Sequence, residues 1–204
     1  MPNKIFEKIK YFWEELANKP LRLDYDPKIL MCRESQRPIK RHRPCHKEPE
    51  TCKWIDDYVK SGDVFFDVGA CAGGYSFVSE LKGAKVFAFE PVPHLIKKNI
   101  EMNKSAIKLT EEAVGNEPGK KVDDFASKFN IPPDHIKIDV DGAELSVVQG
   151  AENSIKNAKT MMIEISENEA EVTRLIEKSM TLKATYKREA PNTYNYLFIK
   201  KGVS

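Results

Sequence analysis

The sequence predicts an α/β fold: a mostly parallel sheet, helices on both faces, and an antiparallel hairpin at the C-terminal end. Three observations predict it. From residue 48 onward short apolar runs alternate with helical patterns, as in strands joined by helical crossovers. Three of those runs end in a carboxylate followed by glycine, proline or a helix start. They are Asp67-Val-Gly-Ala-Cys-Ala-Gly-Gly-Tyr-Ser76, Phe87-Ala-Phe-Glu-Pro91 and Ile136-Lys-Ile-Asp-Val-Asp-Gly-Ala-Glu144. The last two runs, 182–187 and 194–200, are joined through Pro191-Asn192 too tightly for a crossover, so one of them runs antiparallel.

The elements follow in order. Ile5, Phe6, Ile9, Phe12, Trp13 and Leu16 recur at helical spacing, which predicts an amphipathic helix over 3–17 that packs on the chain's own domain. Residues 18–46 are a Pro- and Arg-rich connection with weak periodicity. Within it, 37–47 carries five formal positive charges and no acid, and reads as a solvated loop. No aromatic residues interleave there as a single-stranded nucleic acid requires. The regular part predicts helices over 48–60, 74–82, 94–103, 122–129, 144–158 and 167–178. Strands are predicted over 63–67, 84–89, 106–114, 136–138 and 160–165, with a turn cluster at 115–119. The organisation is an N-terminal helix and basic connection over 1–46, then one ligand-binding domain over 47–204.

Composition excludes several classes. The 204 residues suffice for one well-cored domain, and 41% hydrophobic with 31% charged residues is ordinary for a globular chain. A net charge of +2 argues neither for nor against a polyanionic partner, and with no aromatic residues interleaved in the basic stretch no nucleic-acid partner is expected. No apolar run approaches the ~20 residues of a membrane span. Glu14 and Glu15 interrupt the first aromatic cluster, unlike a signal peptide. A cytoplasmic location is the expectation. His42, Cys45, His46 and Cys52 lie close together but lack the paired knuckles of a zinc site. Cys32 and Cys71 are isolated, all four thiols are expected to be reduced, and no metal site is expected.

The strand ends carry the chemistry. Open α/β sheets bind ligands at the carboxyl ends of their strands, and three acidic ends suit a ligand with hydroxyls and a positive charge. S-adenosylmethionine has both. Gly69 allows a tight strand-to-helix turn, and Gly73 and Gly74 let a ligand approach the backbone where the helix begins. A nicotinamide cofactor requires G-x-G-x-x-G and a bare helix end for its pyrophosphate. Here the order is G-x-x-x-G-G, and Asp67 would repel that group. Glu90 ends the second strand, where a carboxylate accepts from both ribose hydroxyls, and Pro91 starts the next turn. Asp139 ends the fourth strand and points toward the same cleft. Glu144, in the first turn of a helix, has a plain structural role, as has Asp141. Glu164 interrupts an apolar strand, which is costly unless it faces the cleft or is paired. His135 falls at the far end of the sheet and His94 at a helix start beside Glu90.

At these residues the chain resembles the FkbM family of class I S-adenosylmethionine-dependent methyltransferases. The likeness rests on Lys47-Glu-Pro-Glu-Thr51 with Trp54-Ile55, Gly62-Asp-Val-Phe-Phe-Asp-Val-Gly-Ala70, Ala88-Phe-Glu-Pro91, Val122-Asp-Asp-Phe125 and Ile136-Lys-Ile-Asp-Val-Asp-Gly-Ala-Glu144, over roughly 47–165. It implies a Rossmann-like sheet and methyl transfer, usually to an oxygen of a sugar, glycan or other small hydroxylated metabolite. It also implies that Asp67, Gly69, Ala70 and Gly73, with Tyr75 beside them, hold the methionine end. Glu90 and Pro91 would hold the ribose, and Ala113 would flank the adenine. Asp139 and Glu164 are the candidates to orient or deprotonate the acceptor. Cys71 and Asp141 depart from the family's usual asparagine and glutamate, and the segment between Val114 and Val122 is shorter than usual, on the side that shapes the acceptor. That short segment motivates an alternative: a protein that binds S-adenosylmethionine without catalysis, as a partner or scaffold subunit.

Overall fold

The computed structural model describes residues 19–33 and 42–202. The helix expected over 3–17, and residues 37–41 of the basic stretch, lie outside the described residues. The described chain begins with a two-stranded antiparallel ribbon, β1 (Leu21–Arg22) and β2 (Leu30–Met31), followed by α1 (Pro44–Lys47) and α2 (Pro49–Tyr58). Next come β3 (Val64–Val68), α3 (Gly74–Leu81), β4 (Lys85–Phe89), α4 (His94–Asn103) and β5 (Lys108–Thr110). The second half runs through α5 (Val122–Phe129), β6 (His135–Ile138), α6 (Glu144–Gln149), α7 (Glu152–Asn157) and β7 (Thr160–Ile165). It ends with α8 (Glu169–Ile176), β8 (Met180–Lys187) and β9 (Tyr194–Lys200).

The main sheet has the order β5-β4-β3-β6-β7-β9-β8. The pairs from β5 to β7 are parallel, and β9 lies antiparallel to both β7 and β8. The chain winds outward through β3, β4 and β5, then returns to place β6 on the other side of β3. That reversal opens a crevice beyond the carboxyl ends of β3 and β6, where such sheets take their ligands. Both faces are covered. Phe66, Phe87, Phe89, Ile136 and Phe125 pack on one side; Phe65, Trp54, Phe77, Ile96 and Met162 pack on the other. A strand buried on both faces reads as a nearly continuous apolar run, and β3 does so except at Asp67.

The structure corrects the expected elements at four places. The helix expected over 48–60 is α2, which begins only at Pro49. A separate short helix, α1, precedes it, and Glu48 between them lies outside the helical region (φ −143°, ψ 74°), as the residue before a proline tends to. The strand expected over 106–114 keeps only 108–110. Among the described residues it is an edge strand paired with β4 alone, and β4 ends at Phe89, so the ladder stops there. The helix expected over 144–158 breaks at Gly150, whose backbone lies against Gly115; a side chain there would meet the Gly115 carbonyl oxygen. The Gly150 carbonyl instead accepts from Asp123 N–H. Finally, the connection over 18–46 contains the β1–β2 ribbon. It is fastened to α4 by Asn99 and Asn103, whose amide oxygens accept from the N–H groups of Cys32 and Leu30.

Candidate active site

The loop after β3 forms one wall of the crevice. The N–H groups of Gly69 and Ala70 both donate to the Phe89 carbonyl at the end of β4, at 2.9 and 3.2 Å. Gly69 adopts φ +81°, and a side chain there would overlap the Asp139 carbonyl oxygen. The close approach of β3 to β6 therefore requires glycine at this position. Gly73, at φ +84°, receives α3. A small cleft open to solvent lies beside the loop, lined by Pro44, Lys47, residues 69–72, Gly74, Tyr75 and Asp139.

Asp67 is fully buried. Ser76 Oγ donates to its Oδ2 at 2.5 Å, and its Oδ1 has no partner. Burial pushes its carboxyl up, while the Lys137 ammonium and Ser76 pull it down. Glu90 accepts from Cys71 N–H at 2.7 Å and Val92 N–H at 2.9 Å, one bond on each oxygen. Each oxygen keeps a free acceptor site. Ala70 and Tyr75 are buried with Gly73 between them, and Pro91 is exposed after β4. Residues 67–75 and 90 thus meet at one end of the sheet, whereas Ala113 lies in the exposed connection after β5.

Beyond them lies a buried charge network in which only Asp139 and Glu164 are expected from the sequence. Lys137 Nζ lies 2.9 Å from Asp139 Oδ2 and 4.6 Å from the centroid of the Tyr75 ring. Burial alone would lower its pKa, but Asp139, Glu48 and Asp67 hold it above the ordinary lysine value. Arg188, just past β8, reaches Glu48 at 2.9 Å, Glu164 at 3.0 Å and Glu50 at 3.3 Å. Burial opposes ionisation of Glu48, yet Lys137, Lys47 and Arg188 bring its pKa down to about 2. Glu164 moves the other way: burial, Asp139 and Glu48 raise it. Tyr75 carries a buried hydroxyl that closes no hydrogen bond of ordinary geometry, although Glu48 and Asp139 lie close enough to raise its pKa after burial.

Glu48, Lys137 and Arg188 are the members that sequence reasoning missed. Lys137 had a signal, a charge inside an otherwise apolar strand, the same one that marked Glu164. Arg188 had none, since it sits in a polar hairpin loop. Asp141 is exposed, and Glu144 accepts from Gly142 N–H and Ser166 Oγ, closing its own helix start. His135 lies at the amino end of β6, bonded to Thr160 and Asp63, away from the crevice.

The residues fit S-adenosylmethionine. The unpartnered Asp67 oxygen presents a buried acceptor for a cationic group, and the free acceptor sites of Glu90 suit hydroxyls. Comparison with known proteins leads to the same class. Residues 116–188 match the methyltransferase FkbM domain. That stretch holds Asp139, Glu164 and Arg188; the glycine loop and Glu90 precede it. Among solved structures, the methyltransferase FkbM from Methylobacillus flagellatus is 20% identical, with a TM-score of 0.56 over 68% of this chain and 43% of that one. The chain therefore spans under half of that protein. A precorrin-6y C5,15-methyltransferase from Geobacter metallireducens is 15% identical, with a TM-score of 0.53 over 76% of this chain and 87% of that one. TrmK of M. capricolum, solved with S-adenosyl-homocysteine, is 14% identical, with a TM-score of 0.55 over 74% and 67%. No curated protein matches the chain.

Fold and domain match together define the class: an S-adenosylmethionine-dependent methyltransferase with a Rossmann-like sheet. The matched domain is of the FkbM type. Among the described residues, no helix is long and apolar enough to cross a membrane.

Proposed function

We propose that residues 47–204 bind S-adenosylmethionine and transfer its methyl group to a hydroxyl of a sugar, glycan or other small hydroxylated metabolite in the cytoplasm. The observation that carries this reading is the convergence of Asp139 and Glu164 beside the cofactor cleft, where an acceptor hydroxyl needs a proton acceptor. Asp67, Gly69, Ala70, Gly73 and Tyr75 hold the methionine end, Glu90 and Pro91 the ribose, and Ala113 the adenine. Asp139 is oriented by Lys137 through one oxygen and offers the other to the acceptor. Burial, with Asp139 and Glu48 nearby, raises the Glu164 pKa, and a raised pKa makes a carboxylate a stronger base. The acceptor oxygen attacks the methyl carbon in line, and the carbon–sulfur bond electrons stay on sulfur. The protein contributes position and electrostatics. The acidic acceptor side disfavours a polyphosphate backbone, which supports a small acceptor over a nucleic acid.

Calorimetry with S-adenosylmethionine, followed by a methyl-transfer assay against glycans and small hydroxylated metabolites, tests this. Wild type is expected to bind and transfer, Glu90→Ala to bind weakly, and Asp139→Asn to bind but transfer slowly. Unchanged turnover in Asp139→Asn would remove its catalytic role. A second reading, cofactor binding without catalysis, is favoured by the short connection between β5 and α5, which leaves only a turn on the acceptor side. Binding with no transfer to any acceptor would support it, and no binding by wild type would defeat both.

A further inference from the structure

Three carboxylates meet at the acceptor side of the crevice from three separate parts of the chain. Glu48 comes from the break between α1 and α2, Asp139 from the end of β6, and Glu164 from β7. One oxygen of each lies within 4.8 Å of the others. Like charges so close need positive charge among them. Two anchored cations supply part of it. Lys137 occupies Asp139 Oδ2 and Arg188 occupies Glu164 Oε2, so Asp139 Oδ1 and Glu164 Oε1 remain open. Arg188 also pairs with Glu48 and Glu50. Four carboxylates thus face two anchored cations, which leaves a deficit equal to one divalent ion. The remaining partner, Lys47, lies 2.7 Å from Glu48 Oε1 with its side chain 43% exposed, so it can leave at little cost. When it does, Glu48 keeps Arg188, Thr51 and Asn195.

A second, independent observation points into the same place. The Tyr75 ring is nine-tenths buried, its hydroxyl closes no hydrogen bond of ordinary geometry among the described residues, and Glu48 and Asp139 are the carboxylates close enough to raise its pKa beyond the effect of burial. A buried phenol beside acidic groups that closes no well-formed bond to them fits a position beside a hydrated ion, whose water would supply the missing partner.

We propose that Glu48, Asp139 and Glu164 form a binding site for one hard divalent cation, Mg²⁺ or Mn²⁺, for which Lys47 is the exchangeable substitute. An all-oxygen, carboxylate-rich donor set selects that class of ion over zinc or copper. A cation held there lowers the pKa of a hydroxyl bound to it, which is the assistance that transfer to oxygen requires. The site deepens the O-methyltransferase reading and, in that role, rests on it.

The test uses the full chain after chelator treatment and Mn²⁺ alone as probe, following free Mn²⁺ by electron paramagnetic resonance. Wild type is expected to bind one Mn²⁺ at submillimolar concentration, displaced by Mg²⁺. Asp139→Asn and Glu164→Gln should each weaken binding by about tenfold or more, because affinity at oxygen sites follows the charge of the ligands. Lys47→Met should strengthen it. That variant alters a half-exposed side chain and is expected to fold, so it keeps the test valid if a carboxylate variant does not. The exposed Asp141→Asn should leave binding unchanged. No uptake at millimolar Mn²⁺, or equal affinity in wild type, Glu164→Gln and Lys47→Met, would overturn the site. Calorimetry with S-adenosylmethionine in chelator separates the two readings: Mn²⁺ uptake without cofactor binding would sink the methyltransferase reading and leave the metal site standing. Cofactor binding without Mn²⁺ uptake would do the reverse.

Discussion

Lys137 and Asp139 sit two residues apart on one strand end, their charged atoms 2.9 Å from each other, with the lysine wholly buried. Side chains at i and i+2 share a face of the sheet, so the pair needs no distant element to form. Everything else in the network is recruited to it. Lys137 sits over Tyr75 from α3 and shares the field of Asp67 from β3 and Glu48 from the α1–α2 break. The lysine thereby links the cofactor wall to the acceptor wall.

Replacing Lys137 with Met is expected to cost about 3–5 kcal/mol, the usual consequence of removing one partner from a buried charge cluster. Part of that loss should be recovered by also converting Asp139 to Asn, because the orphaned carboxylate causes most of the penalty. Urea unfolding midpoints of the single and double variants measure it. A single variant as stable as wild type would mean that Lys137 is dispensable.

Glu90 bonds two backbone N–H groups, that of Cys71 in the loop after β3 and that of Val92 in the turn after β4. Glu90→Gln keeps the shape but replaces one acceptor oxygen with a donor, so at least one N–H loses its partner. S-adenosylmethionine affinity is expected to fall by about tenfold or more, with a stability loss of only about 1–2 kcal/mol. Calorimetry and thermal melting, read together, check that the affinity effect exceeds the folding effect.

Most of the fold was legible because its signals are local. The bounds of α4, α5, β7 and β9 coincide with the periodic stretches at 94–103, 122–129, 160–165 and 194–200. The errors arose where a distant element decides: Gly150 breaks its helix because Gly115 lies against it, and β5 ends because β4 ends. The site divides in the same way. Asp67, Gly69 and Glu90 stand at strand ends and could be read singly. The assembly of Glu48, Lys137, Glu164 and Arg188 could not, since those positions meet only after the hairpin has folded back beside β7.

Acid should destabilise the protein in two stages. Trp54 Nε1–H donates to Thr160 Oγ1, and Thr160 bonds His135 Nδ1 while Asp63 takes Nε2–H. Burial lowers the His135 pKa below 6.5, with Asp63 opposing the shift. The unfolded chain therefore binds this proton more readily. The contribution is complete above about pH 6.5 and declines as pH falls from there toward the lowered folded value. Glu48 acts later: its stabilisation is present above the unfolded value of 4.5 and is lost as pH falls toward about 2. Denaturation midpoints from about pH 7.5 to about pH 5.5 should decline in wild type and less steeply in His135→Gln. Parallel curves would refute the first stage.

Two glycines with the same backbone sign separate conformational strain from close approach. Gly69 and Gly119 have φ of +81° and +80°, so alanine is strained at both. At Gly119 an added methyl would meet nothing within 4 Å, and the cost should be about 1–2 kcal/mol, that of a left-handed L-residue. At Gly69 the methyl would overlap the Asp139 carbonyl oxygen, a backbone atom held at the end of β6 by its neighbours. Relief requires moving β3 and β6 apart at the ligand end of the sheet, where Asp139 N–H bonds the Val68 carbonyl at 2.9 Å. Gly69→Ala should therefore lower the melting temperature far more than Gly119→Ala. In whatever fraction remains folded, it should also abolish S-adenosylmethionine binding, while Gly119→Ala keeps wild-type affinity. Equal melting temperatures for the two variants would show that β3 and β6 can part at Gly69 without cost.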